Sequence, residues 1–283
     1  MRPTVKQSDK RTAFTPLEKK PHPLGVVKKR GGGLGSHWSF LTGFTIIELM
    51  TVMSVIIILI GLLVPGLNQL RRYAKDVAQR NQFYAIGLGL ETFNAEWDNY
   101  PSSKPDMDHC SGAVQLADAM VGRDLLGYDP TGTGDPNSSA RRQYLPVEKA
   151  NAYRLKDLWQ TLIAIPVGEQ RVLCDMYSNV DHLITDKPVG MPILYYKANT
   201  LSSGDIYDYA DNSPIVALDL PWKLGEFHPL NPLKFSEQIR NDEIWESSGQ
   251  TVDRPCRADS YILFSAGHDG KYGTDDDIFN FRK

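Results

Sequence analysis

Apolar and polar positions along the chain change their rhythm twice. Residues 44–67 read FTIIELMTVMSVIIILIGLLVPGL, with Glu48 as the single charge. The stretch up to Pro65 predicts a helix of roughly 33 Å at 1.5 Å per residue, enough to cross a bilayer core about 30 Å thick. From Asn68 the pattern turns amphipathic. Leu70, Ala74, Val77, Asn81, Tyr84 and Leu88 recur at steps of three and four, and Ile86, Leu90, Phe93 and Trp97 continue on an adjoining face. Arg71, Arg72, Lys75, Asp76, Gln79 and Arg80 fill the remaining side. This predicts a helix with the apolar stripe against a domain and the charged side wet. Pro65 and Gly66 predict a kink or a locally melted turn between the halves, and Asn99-Tyr100-Pro101 predicts the helix end.

Beyond that helix the periodicity weakens. Residues 102–150 are loop-rich, with turn formers dense over 127–136, and 102–190 as a whole reads as an insertion. A short helix is expected over 155–165, ended by Pro166. Runs at 193–197 (ILYYK), 215–220 (IVALDL) and 261–265 (YILFS) read as strands of an antiparallel sheet with long connections. No internal repeat is present.

Charge is divided unequally. Residues 1–43 hold nine Lys/Arg and two Asp/Glu, whereas the remainder holds 22 basic and 32 acidic residues. The head also contains Pro3, Pro16, Pro21, Pro23 and Gly31-Gly32-Gly33, without helical or strand period, and reads as a removable leader. A basic head before an apolar span places the N-terminus in the cytoplasm and the acidic body across the membrane. The basic residues are thinly spread with no aromatic interleaving, so nucleic acid is not an expected partner. Cys110, Cys174 and Cys256 show no metal or redox spacing. Outside the cytoplasm they allow one disulfide, with one cysteine left over and the pairing open.

Glu48 calls for a compensating charge. An acidic residue at the centre of a membrane helix costs about 2.5–3.5 kcal/mol, and less toward the end. A neighbouring subunit's amino group at ~4 Å returns roughly 4 kcal/mol at an effective dielectric near 20, so cost and gain are comparable. The run Thr42-Gly43-Phe44-Thr45-Ile46-Ile47-Glu48-Leu49 resembles the processing site of type IV prepilins and type II secretion pseudopilins. There a glycine precedes the cut, a phenylalanine follows it and a glutamate stands at the fifth mature position. The resemblance covers Gly43 to Leu67 and includes Pro65. It implies cleavage between Gly43 and Phe44 by a prepilin peptidase, N-methylation of Phe44, and assembly through Glu48.

Near its end the chain reads SAGHDGKYGTDDDI. Four aspartates lie between Asp269 and Asp277 with Gly267, Gly270 and Gly273 beside or among them. Clustered carboxylates repel, and a hard cation such as calcium relieves the repulsion with six to eight oxygens. The spacing is not that of an EF-hand. It resembles the calcium loop of the major, G-type pseudopilin through Gly267, Asp269, Gly270, Asp275, Asp277 and Ile278. That resemblance implies calcium held by the side chains of Asp269, Asp275 and Asp277, with the Ala266 carbonyl and that of Gly273 helping and Asp276 pointing outward. Asp98-Asn99 directly before Tyr100-Pro101 also resembles that family's helix end, in tighter spacing.

No nucleophile elbow, zinc-protease helix, phosphate loop or dinucleotide fingerprint occurs. His182, His228 and His268 are isolated, Trp159, Trp222 and Trp245 read as core or loop anchors, and Glu96 and Asp98 face apart on a helix, so no enzyme is expected. The resemblance implies an α+β, pilin-like fold, with a long N-terminal transmembrane and amphipathic helix on a small antiparallel β-sheet and a C-terminal calcium-type loop. Its boundaries are 1–43 leader, 44–67 transmembrane and assembly helix, 68–101 amphipathic helix, and 102–283 periplasmic domain. The expected role is structural. The subunit starts as a single-pass inner-membrane protein in contact with lipid. It then joins copies of itself and other pilins or pseudopilins on an inner-membrane assembly platform. The aspartate loop favours a secretion pseudopilin, in a periplasmic pseudopilus, over a type IV pilin of a surface fibre. A membrane-anchored calcium-binding or enzymatic domain that never assembles is the rival from another class.

Overall fold

The computed structural model describes residues 43–159, 167–202 and 205–281. The chain divides into two units, Met1–Val55 and Ile56–Lys283; residues 1–42 of the expected leader 1–43 lie outside the described residues. Helix α1 spans Ile46–Trp97 and is long and apolar enough to cross a membrane. It runs unbroken through Pro65 and Gly66, so no melted turn forms there. Proline removes one hydrogen bond, that to the Gly61 carbonyl, and the flanking turns carry the helix on. Past Trp97, Asp98 takes a left-handed φ of 54° and the helix stops before Tyr100-Pro101, as expected.

The face that α1 turns to the domain includes the expected Ile86, Leu90 and Phe93 but not the expected stripe from Leu70 to Leu88. Gln79, Gln82, Phe83, Ile86, Gly89, Leu90 and Phe93 are buried. Leu70, Ala74, Val77, Asn81, Tyr84 and Leu88 are exposed. Two apolar stripes with helical spacing compete here, and the buried one contains two glutamines because their amides find backbone partners. Gln82 Nε2 donates to the Cys174 carbonyl at 2.8 Å, and the Met176 N–H donates to Gln79 Oε1 at 2.8 Å. The Tyr177 hydroxyl donates to Asp76 at 2.5 Å and Lys75 to the Ser178 hydroxyl at 3.2 Å, so residues 174–178 are laced along the helix.

The loop-rich stretch 102–150 contains an unforeseen helix, α2 (Gly112–Val121), capped by Ser111 and closed by Gly122 at φ 78°. Nearly all of it is buried. Its approach depends on missing side chains. A Cβ on Gly89 of α1 would lie 2.8 Å from Met120 Sδ, and one on Gly112 would lie 2.2 Å from the Tyr195 carbonyl oxygen. Short pieces follow: α3 (Val147–Ala150), β1 (Ala152–Arg154), α4 (Leu155–Leu158), β2 (Arg171–Leu173), β3 (Val180–Asp181), β4 (Pro188–Val189) and β5 (Leu194–Lys197). The helix expected over 155–165 ends at Leu158. Trp159 turns extended, buries its ring and donates Nε1–H to the Asp219 carbonyl at 2.8 Å. Residues 160–166 lie outside the described residues.

After β5 come α5 (Ser213–Val216), α6 (Pro232–Ile239), α7 (Asp242–Ser247), β6 (Tyr261–Ser265) and β7 (Ile278–Phe279). The strand expected at 215–220 is therefore a helical turn and a loop. Pro214 fixes φ in the first turn. Asn212 anchors it by accepting from Ala113 N–H and donating to the Tyr195 carbonyl, and the turn buries Ile215 and Val216 together. The strands expected at 193–197 and 261–265 form. β5, β6 and β7 make an antiparallel three-stranded sheet in that order, and β1–β2 and β3–β4 are separate antiparallel pairs.

The three-stranded sheet is the middle layer. Alternate residues of β6 supply two cores: Tyr261 and Leu263 join Ile86, Leu90 and Met120 of the helices, while Ile262 and Phe264 join Phe235 of α6 and Tyr272. All five β6 residues are buried. Burial on both faces explains why the strand reads as a continuous apolar run without alternation.

Candidate functional site

Two places carry the chemistry expected from the sequence. The first is the start of α1. Gly43 and Phe44 are exposed and precede the helix. Glu48 Oε2 accepts from Thr45 N–H and from the Thr45 hydroxyl, both at 2.8 Å, and Glu48 N–H donates to Thr45 Oγ1 at 3.3 Å. That is a reciprocal capping box. The T-x-x-E spacing was readable in the sequence and gives Glu48 a local task in addition to any intermolecular one. Phe44, Ile46, Ile47 and Leu49 are all more than half exposed.

The second is the loop after β6. Asn179 Nδ2 donates to the Gly267 carbonyl at 3.0 Å, tying the loop to the segment laced on α1. Gly267, Gly270 and Gly273 all have positive φ, and a Cβ on Gly267 would collide with the Asp276 carbonyl oxygen at 2.2 Å. The aspartates divide by orientation. Asp269 Oδ1 accepts from Lys271 N–H at 2.8 Å. Asp275 is exposed. Asp276 points inward, contrary to expectation: its Oδ2 accepts from the N–H groups of His268 and Asp269 at 2.6 and 2.9 Å, and its Oδ1 from the Thr274 hydroxyl at 2.6 Å. The backbone donors of His268 and Asp269 turn Asp276 in beside Asp277, and Asp275 alone of the three adjacent acids is left exposed. Asp277 Oδ2 accepts from Gly273 N–H, Thr274 N–H and Gln238 Nε2 of α6 at 2.7–2.8 Å. Ala266 is buried at the base of the loop.

Burial pushes the Asp277 carboxyl up to about 8 and also raises Asp269, with the charge of Asp276 adding to both. Asp277 Oδ1 and Gln238 Oε1 are buried without a hydrogen-bond partner. Uncompensated acceptor oxygens of this kind suit a hard cation. Among the described residues, however, no three His, Cys, Asp or Glu side chains converge closely enough to hold an ion.

Outside these places, Asp175 is fully buried between the laced segment and β6. It accepts from the Ser265 hydroxyl at 2.8 Å and from the N–H groups of Tyr177 and Met191 at 3.1 Å, and burial pushes it up to about 7. Nothing in its sequence context marks it as buried. His109 bridges Asp106 and Asp118 at 2.9 and 2.8 Å. His228 is buried and pushed down to about 4 by the loss of solvent. No disulfide joins Cys110, Cys174 and Cys256, and Cys174 is sealed in the core. Glu96 is engaged by the Tyr144 hydroxyl and Arg142.

No protein-family model, curated protein or solved structure matches this chain. What is established is an α+β chain in which one long apolar helix is joined to small antiparallel sheets.

Proposed function

We propose that this chain is a structural subunit of a pilus-like filament, cut between Gly43 and Phe44 by a prepilin peptidase, methylated at Phe44 and assembled from the inner membrane through α1. The supporting observation is the beginning of α1. An exposed Gly-Phe pair leads into a helix whose only early charge, Glu48, sits on a helix long and apolar enough for a bilayer. The 18-residue apolar window of that helix has none of its residues buried among the described residues. Such a surface needs lipid, similar helices, or both in succession. The amine freed at Phe44 is the cation suited to a neighbour's Glu48.

Within that class the aspartate loop favours a type II secretion pseudopilin, acting in protein export with other pseudopilins and an inner-membrane platform, over a surface pilin. In this reading the loop takes calcium through Asp269, Asp275, Asp277 and the Ala266 carbonyl, and the orphaned Asp277 Oδ1 supports a cation there. Mass spectrometry of the mature N-terminus tests the assignment. A chain beginning at methylated Phe44 is expected; an intact leader on a protein that stays monomeric in membranes refutes it and leaves a membrane-anchored domain.

A further inference from the structure

The exposed stripe on the outer half of α1 is a heptad seam. Leu70, Val77 and Tyr84 occupy one set of positions, Ala74, Asn81 and Leu88 the other, in steps of four and three, and all six are exposed. The same stepping continues toward the N-terminus through Leu67, Leu63, Ile60 and Ile56. Among the described residues the domain covers only the other stripe, and this one has no partner there. A sustained 3.5-residue repeat is the pattern that pairs a helix with its like. The occupant is further specified by Asn81, which falls at an a position. There a lone asparagine pairs with the same residue across a parallel, in-register dimer. In an antiparallel pair it would face Val77 or Tyr84 and leave its amide unsatisfied. The flanking positions agree. In parallel register Arg80 faces Ala85 and Tyr73 faces Ala78, so no like charges meet. Helices inserted in one membrane with one orientation are parallel by necessity.

We propose that a second copy of this chain docks on the seam, giving a membrane-held dimer with Asn81 against Asn81. This dimer differs from the filament contact, and that distinction rests on the function proposed above. A Glu48 that meets a neighbour's Phe44 shifts the two helices by four residues, which places Asn81 opposite Val77 or Ala85 and breaks the asparagine pair. One pair of helices cannot hold both registers, so the dimer is a state the subunit leaves in order to assemble.

Cysteine cross-linking of the full chain in its membrane tests the pairing. Asn81→Cys and Val77→Cys are expected to give covalent dimers on mild oxidation, at least several-fold above the unsubstituted chain with its three native cysteines. Arg72→Cys, exposed on the opposite side of the repeat, is expected to remain at that background. In detergent, Asn81→Val is expected to convert a single dimeric species into a mixture of larger ones by sedimentation. Equal cross-linking at Arg72→Cys and Asn81→Cys, or none at Asn81→Cys, overturns the pairing. Mature Phe44 chains that build filaments but show no Asn81→Cys cross-link in their unassembled, membrane-held pool sink the dimer and spare the filament. Cross-linked dimers on chains that keep the leader do the reverse.

Discussion

Glu48 has two tasks that a substitution can separate. Its carboxylate caps its own helix through Thr45 and, in the proposed filament, meets a neighbour's amine. Glutamine keeps the reciprocal cap, since the capping box accepts Glu or Gln, but removes the charge. Glu48→Gln and Glu48→Ala are therefore both expected to insert and be cleaved yet fail to assemble. Thr45→Ala is expected to cost about 1 kcal/mol of helix-start stability and still assemble. Electron microscopy of the three variants decides; filaments from Glu48→Gln at normal yield would sink the charge pairing. Asp175 gives a second residue-scale expectation. Its carboxyl titrates near 7 in the fold against 3.8 when unfolded, because burial disfavours the anion. A raised folded value means that its contribution is complete below pH 3.8 and is lost as pH rises toward 7. Asp175→Asn should flatten that part of the stability–pH curve, gaining on the parent chain above pH 7. Urea titrations at pH 5 and 8 measure this, and an unchanged difference between the two pH values would contradict it.

At the scale of elements, close approach depends on a glycine. A Cβ at Gly89 would press on Met120 and the Tyr144 carbonyl, so Gly89→Val should destabilise by about 1–3 kcal/mol, read as a lowered urea midpoint. Gly66→Ala, with open space around it, should not. The same packing shows where the sequence was legible. The long helix was readable because its composition forces it, and so were the apolar strands β5 and β6. Which stripe of α1 faces inward was not readable. Gln79 and Gln82 look wet until residues 174–176 present their backbone to them. α2 escaped because its small residues carry little hydrophobic rhythm, although Ser111 and Gly122 mark both ends. Ile215–Leu220 resembled a strand by composition, and Pro214 with Asn212 overrode it. At the candidate sites, Gly43, Phe44 and Glu48 were named through the resemblance of a contiguous run, which needs no tertiary structure to be seen. The inward turn of Asp276 could not, because the N–H groups that select it exist only once the loop has closed.

Over the whole molecule, the acidic loop is connected to α1. Asn179 holds Gly267, the Tyr177 ring lies 5.0 Å from that of His268, and the Tyr177 hydroxyl donates to Asp76 of α1. A cation that orders the loop therefore braces the segment laced along α1, and its effect should register as global stability. A ligand present at 100 times its Kd adds about 2.7 kcal/mol. For a domain of this size that corresponds to a melting-temperature rise of roughly 5–10 °C. Calcium is expected to give such a rise in the detergent-solubilised full chain, and excess chelator to reverse it. Asp277→Asn should abolish the calcium response. Asp276→Asn acts differently, because Asp276 holds the turn through His268 and Asp269 in the absence of any ion; it should lower the melting temperature with and without calcium. If calcium leaves the parent chain's melting temperature unmoved, the loop is an acidic turn held by its own backbone. Calcium then leaves the account, while the case for assembly, which stands on α1, is untouched.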